Sequence, residues 1–386
     1  MKGLNEIIAG EISKDGPISF ARFMELALYC PLYGYYEVKK DNVGRAGDFF
    51  TSVSVGSLFG EMLAFQFAEW LAPEVGSRKS EVRIAEAGAH DAKLAKDILT
   101  WLRRCRPGLF DQLEYVIIEP SARRQEWQRE TLRDFESKVR WLTELPAASR
   151  LAVGFPPFAG ILFSNELLDA FPVRRFGWDA RQKKWFEWGV ALDGGKFVWT
   201  KFQKLEVGGQ RSESENQSVQ PNFPSSIFHL PSSLLEVLPD NFTTEICPAA
   251  ERWWRDAAAF LRNGKLFTFD YGLSAEEFFS PERNDGTVRA YRRHQLCTDL
   301  LARPGEQDLT AHVNFTAIQN AGEAAGLKTE AFVSQAKFLT QIAEQIWRRP
   351  ADFGEWTPAH TRQFHTLTHP QHLGRPFRAL VQSRLP

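Results

Sequence analysis

Two carboxylates flank a lone glycine and a helical stretch in RIAEAGAHDAKLAKDILTWLRRCRPGLFDQLEYVIIEPS, residues 83–121. Glu86 lies just before Gly88, and Glu119 follows Gly88 by 31 positions. A pyrophosphate-binding turn needs several glycines so that backbone can approach the phosphates, and its acidic partner lies roughly 20 positions on. Here Gly88 is followed by Ala89, His90 and Asp91, so a dinucleotide is disfavoured. Glu119 is placed to accept both hydroxyls of a ribose, and Glu86 suits a cofactor that carries a cation. S-adenosylmethionine fits both demands: it has a ribose, a sulfonium and an ammonium, and no phosphate. An ordinary βαβ unit with both carboxylates solvated at strand ends is the competing reading.

Asn165, Glu166 and Asp169 form a second set, in SNELLDAFPV after the apolar run of residues 160–163. Residues just past the C-terminal ends of parallel strands line the ligand crevice of an open α/β sheet. The trio is therefore placed where a substrate nucleophile would meet the cofactor. Asn165 as a helix cap with Glu166 in the first turn accounts for the same residues without excluding a site. Asp48 and Thr51, in the glycine-punctuated GRAGDFFTSVSVGSLFGE, are candidates to hydrogen-bond a ligand's amine or carboxylate. A tight connection with glycine at positive φ is the alternative there.

The elements that hold these groups follow from periodicity. Val82, Ile84 and Ala85 begin a strand; Leu94, Ile98, Leu99 and Leu102 recur at helical spacing; residues 115–118 form a continuous apolar run typical of a buried parallel strand. Further strands are expected at 139–142, 160–164, 266–269 and 377–381, and a helix at 248–263 ended by Gly264. Two helices open the chain, the second capped by Ser19, and Asn314 caps a later one. The tyrosine-rich turn of residues 31–36 reads as core packing under a loop. From 173 to 202 aromatic and β-branched residues alternate with turn signals, which predicts an inserted hairpin or meander. The polar stretch VGGQRSESENQSVQPNFPSS that follows reads as a mobile loop. The dense polar set from Arg289 to His312 is either an ion-pair network or a lining of the substrate cleft.

At 386 residues the chain is long for one doubly wound domain, so additions to a central fold are expected. Residues 1–75 read as a helical cap with the glycine-rich loop, and 76–386 as the main domain with an insertion at about 173–240. Lys plus Arg number 47 against 48 acids, which gives no general field for nucleic acid or an anionic membrane. The four cysteines have no paired spacing, arguing against a zinc site or disulfide framework. No metal is expected at the C-terminal histidines either. With no leader-like composition in its first 20 residues, the protein is expected to be cytoplasmic.

PISFARFMELALYCPLYGYY, GRAGDFFTSVSVGSLFGE, SNELLDAFPV, FDYG, GTVRAYRRHQ and PGEQDLTAHVNFTA resemble, in this order, the MidA family of S-adenosylmethionine-dependent methyltransferases. The resemblance implies the class I α/β sheet of seven strands with the last antiparallel, S-adenosylmethionine as cofactor, and protein arginine as acceptor. Mitochondrial members of that family are complex I assembly factors that methylate an arginine. Carried onto this sequence, the cofactor motif falls on Glu86 and Gly88 and the ribose carboxylate on Glu119. His90 stands where the family usually has a further glycine, and TSVSVG lacks the family's usual proline. A side chain at 90 either crowds the cofactor or hydrogen-bonds it. The alternative is thus a non-catalytic binding or assembly factor, and a small-molecule or carboxyl methyltransferase is a third reading. A homodimer is left open.

Overall fold

All six residues of β1 (Val82–Ala87) are buried, as expected of a parallel strand covered on both faces. The computed structural model describes residues 3–38, 51–72, 82–146, 158–202, 236–293 and 295–384. Asp48, His294 and the polar stretch 207–226 lie outside them. Beside β1 the main sheet contains β2 (Leu113–Ile118), β3 (Val139–Leu142), β4 (Phe158–Asn165), β5 (Leu261–Leu273), β6 (Lys328–Ser334) and β7 (Phe377–Arg384). Their spatial order is β3-β2-β1-β4-β5-β7-β6, with the two-residue strand Val313–Asn314 pairing with the end of β5 off this path. β7 is antiparallel to both neighbours, and the pairs from β5 to β3 are parallel.

Helices α1 (Leu4–Asp15) and α2 (Phe20–Tyr29) form the N-terminal cap, and Ser19 caps α2 by accepting from Arg22 N at 3.2 Å. The period-2 alternation of the strands sends successive side chains to opposite faces. Ile84, Tyr115, Phe163 and Phe267 face α3 (Leu58–Leu71) and α4 (Lys93–Cys105). α5 (Ala122–Thr131) follows β2. Ala85, Val116, Leu162 and Leu380 face α6 (Pro248–Phe260) and α7 (Phe315–Ala324). α6 is shorter than its periodicity suggests, because Leu261 already pairs with Phe158 as the first residue of β5. α8 (Gln335–Arg348) returns to the first face. There Phe338 stacks on Phe267 with ring centroids 5.3 Å apart, and truncating a phenylalanine this deeply buried costs about 3–5 kcal/mol.

The inserted meander is present as Arg174–Asp179, Lys184–Asp193 and Lys196–Phe202, joined in one antiparallel sheet by Ile18–Ser19 and Thr243–Ile246. A third sheet unites Arg289–Arg292, Gln295–Cys297 and Asp308–Thr310, and sets Asp308 opposite Tyr291.

Candidate active site

Strand order reverses between β1 and β4, which stay paired up to Ala87 and Ser164, and ligands of open α/β sheets bind beyond the C-terminal strand ends at such a point. Gly88 leaves β1 at φ +72, and a Cβ there would lie 2.8 Å from Leu167 Cδ1. Glycine is needed for the left-handed backbone, whereas the close contact is the end of the flexible Leu167 side chain. Glu166 leaves β4 at φ +51, held by its N–H donating to Phe269 O at 2.9 Å. Only the three-residue 3-10 turn Leu168–Ala170 follows, so Asn165 caps no α-helix. Asn165 Nδ2 instead donates to Glu166 Oε1 at 3.1 Å, and its buried Oδ1 has no hydrogen-bond partner among the described residues.

On the cofactor side, Glu86 continues the face of Ile84 and is 2% exposed. Burial pushes its carboxyl up to about 7, although Tyr115 Oη donates to Oε2 at 2.6 Å and partly counters this. The run 115–118 is therefore not wholly apolar in function, since Tyr115 supplies a buried hydroxyl. Glu119 is 1% exposed. Its Oε1 accepts from Ser121 N at 2.9 Å and from Arg124 Nε at 2.9 Å, while Oε2 accepts from Gln128 Nε2 at 3.2 Å. Gln128 Nε2 also reaches the carbonyl of His90 at 3.1 Å, so one buried amide ties the turn after β1 to the carboxylate after β2. His90 adopts φ +47, a region in which histidine is several-fold enriched. Its Nδ1 lies 3.7 Å from Asp91 Oδ1, and Lys93 Nζ is 2.8 Å from Oδ2. Burial opposes ionisation of Asp91, but these two partners hold its carboxyl below the usual range.

Thr51 is buried against its own turn: it exchanges hydrogen bonds with Ser54, which donates to the Thr51 carbonyl at 2.8 Å. The backbone of its neighbour Ser52 lies close enough to the Glu166 carboxylate to favour the ionised form. Burial, then repulsion from Asp169, pushes Glu166 up to about 8; burial pushes Asp169 up to about 7. Fully buried Asp270 accepts from Leu167 N at 3.2 Å and Leu168 N at 2.7 Å through Oδ2, and from Tyr271 N at 2.7 Å through Oδ1. It braces the loop that carries Glu166 and Asp169. Burial and those two acids push its own carboxyl up, against the pull of the backbone donors.

Three further groups border this cluster. Asp308 lies within electrostatic reach of Glu166. Tyr36 Oη donates to Asp308 Oδ1 at 2.8 Å, and Tyr29 Oη donates to Ala170 O at 2.9 Å. The tyrosine turn is thus not core packing alone: Tyr35 is buried core, whereas Tyr36 reaches into the polar cluster. The hydroxyls gave no periodic signal, because their partners lie on distant segments. Gln128 was equally hidden in the polar sequence of α5, although an uncharged side chain among charged ones is a weak hint of burial.

This donor set fits S-adenosylmethionine. Carboxylate oxygens are available for hydroxyls and a cation at Glu119 and Glu86, beside a turn whose one glycine gives no phosphate cradle.

A family model described as an S-adenosyl-L-methionine-dependent methyltransferase matches residues 62–333. The curated "Protein arginine methyltransferase NDUFAF7 homolog, mitochondrial" of Drosophila melanogaster is 28% identical over 337 residues, covering 83% of this chain and 70% of its own. Its Mus musculus counterpart is 27% identical over 364 residues, covering 87% and 73%. A crystal structure of a COG1565 superfamily member from Burkholderia thailandensis, bound to S-adenosyl-homocysteine, superposes with a TM-score of 0.80 at 32% identity, covering 99% of this chain and 92% of that one. The curated relatives are mitochondrial by name, which overturns the cytoplasmic expectation. The four unpaired cysteines do not single out a compartment. The chain belongs to the MidA/COG1565 family of S-adenosylmethionine-dependent methyltransferases.

Proposed function

We propose that the methyl acceptor is the guanidinium of an arginine side chain in a protein. One observation supports this: Glu166, Asp169 and Asp270 cluster at the C-terminal ends of β4 and β5, and among the described residues no Lys or Arg forms an ion pair with any of them. Carboxyls held above their usual range by burial and by one another are relieved by a cation. A planar guanidinium answers two of them at once, which a neutral hydroxyl or a carboxylate acceptor does not. The names of the Drosophila and mouse relatives support the same substrate class.

S-adenosylmethionine supplies, when bound, an electrophilic methyl on a sulfonium. In this reading Glu119 accepts the ribose hydroxyls, and Glu86 lies toward the cationic portion. Gly88 and the backbone that follows line the crevice, with His90 held out toward Asp91. Glu166 grips the guanidinium, draws its positive charge away from the attacking nitrogen, and receives the proton that nitrogen loses as it is methylated. Asn165 fixes the Glu166 carboxyl through Oε1, and its unpartnered Oδ1 is an acceptor for a guanidinium N–H. Asp169 adds charge, and Asp270 keeps the loop in place.

The reading is tested by incubating the protein with S-adenosylmethionine and peptides that differ only in a central Arg, Lys or Gln. Methylarginine alone is expected by mass spectrometry, and methyl-lysine or methylglutamine in its place would refute the arginine assignment.

A further inference from the structure

Glu37 sits in the four-residue helical turn Tyr35–Val38, outside the span that the family model matches. Its carboxylate is nonetheless nearly buried at 14% exposure, and it is directed at two of the three residues that hold Glu119. Ser121 Oγ donates to Glu37 Oε2 at 2.9 Å, and Arg124 Nη1 is 3.7 Å from Oε1. Arg123 Nη1 donates to the Glu37 carbonyl at 2.7 Å, fixing the turn from the other side.

Arg124 is thus shared by two carboxylates. Its Nε and Nη2 both approach Glu119 Oε1, at 2.9 and 2.8 Å, and its Nη1 is turned to Glu37. Glu119 Oε2 accepts from the Gln128 amide and, among the described residues, has no hydrogen bond from Arg124. A guanidinium facing one carboxylate prefers the bidentate arrangement, with one N–H on each oxygen. Glu37 pulls the guanidinium toward itself through Nη1, against the shift that would carry Nη2 from Oε1 onto Oε2.

We propose that Glu37 is a positioning residue for the cofactor: by holding Arg124 off Glu119 Oε2, it leaves that oxygen open to a ribose hydroxyl. The N-terminal cap is then a working part of the cofactor site, and not only a cover over the sheet. The inference rests on Glu119 accepting the ribose, as proposed above.

The test is a calorimetric titration of wild type and Glu37→Gln with S-adenosylhomocysteine and with its 2′-deoxy analogue. Gln keeps the size of Glu37 and an oxygen for Ser121 but removes the charge that competes for Arg124. Wild type is expected to prefer the ribose form, and Glu37→Gln to bind S-adenosylhomocysteine about tenfold more weakly while its affinity for the 2′-deoxy analogue is unchanged. Equal weakening for both ligands would mean that Glu37 merely supports the fold locally and would overturn the proposal. An unchanged preference in Glu37→Gln would overturn it as well, with Glu119 still reading the ribose. A wild type that does not distinguish the two ligands would instead remove Glu119 from the ribose and the proposal with it. Thermal unfolding of both proteins without ligand checks that the variant is folded.

Discussion

The hydroxyl of Tyr36 donates to Asp308 Oδ1 at 2.8 Å across 272 positions of sequence. This contact brings the N-terminal cap onto the strand Asp308–Thr310 at the edge of the Glu166 cluster. It also orients one oxygen of Asp308. Tyr36→Phe keeps the ring packing against Tyr29 and Tyr35 and removes only the hydroxyl. The expected outcome is a KM for an arginine peptide raised about tenfold, with kcat and S-adenosylhomocysteine affinity little changed. An unchanged KM would return Tyr36 to the role of simple core packing.

Glu166 and Asp169 hold protons more tightly when folded than when unfolded, since burial raises them to about 8 and about 7. A raised carboxyl contributes its full stability below its unfolded value near 4 and loses it as pH rises through the folded value. Stability should therefore fall between about pH 5 and pH 8. Asp169→Asn removes one charge of the pair and should stabilise the protein by on the order of 1–3 kcal/mol at pH 8.5, with little effect at pH 4. Denaturant melts at the two pH values check this; a gain that is equal at both would contradict it. The affinity for an arginine peptide should rise over pH 7–8 as the same groups ionise.

Tyr115 is the hydroxyl donor to buried Glu86. Tyr115→Phe leaves the ring in place and deprives the carboxylate of that bond. A loss of about 1.5–3 kcal/mol is expected where Glu86 is ionised, above about pH 7, and a smaller loss at pH 5. Chemical denaturation of the variant at both values is the check, and a pH-independent loss would mean that the bond does not depend on the charge of Glu86.

Gly88 has both positive φ and a neighbour 2.8 Å from where a Cβ would stand. Gly88→Ala should cost about 1–3 kcal/mol of stability and weaken S-adenosylhomocysteine binding at least tenfold, because alanine is strained in the left-handed backbone of the turn and crowds the Leu167 side chain. His90→Gly should alter stability by less than about 1 kcal/mol, since the turn already has the backbone a glycine takes. Calorimetry and thermal melts distinguish the two; wild-type affinity in Gly88→Ala would show that the crevice is not built as described.

The strand–helix–strand from Val82 to Ile118 was legible in the sequence because its periodicity is local. The caps at Ser19 and Asn314 were legible too, each residue accepting from the N–H three positions on. The positions of Glu119, Glu166 and Asp169 just past strand ends were also legible, because the apolar runs before them are local. What stayed hidden depends on register and long-range approach. Nothing local pairs Glu86 with Tyr115, Gln128 with His90, or Glu37 with Arg124. The end of α6 was overrun for a related reason: residues 261–263 keep a helical pattern, but Leu261 is claimed by its pairing with Phe158. Thr51, a candidate ligand contact by its sequence, also closes its own turn with Ser54.

The most direct test of the acidic acceptor pocket is single-turnover methyl transfer from S-adenosylmethionine to an arginine peptide, in wild type and Glu166→Gln. The side chain keeps its size and loses its charge and basicity. With S-adenosylhomocysteine affinity and thermal stability at pH 6 near wild type, turnover should fall by about 100-fold or more. Turnover at the wild-type rate would remove Glu166 from the chemistry and leave the cluster of acids without the role assigned to it.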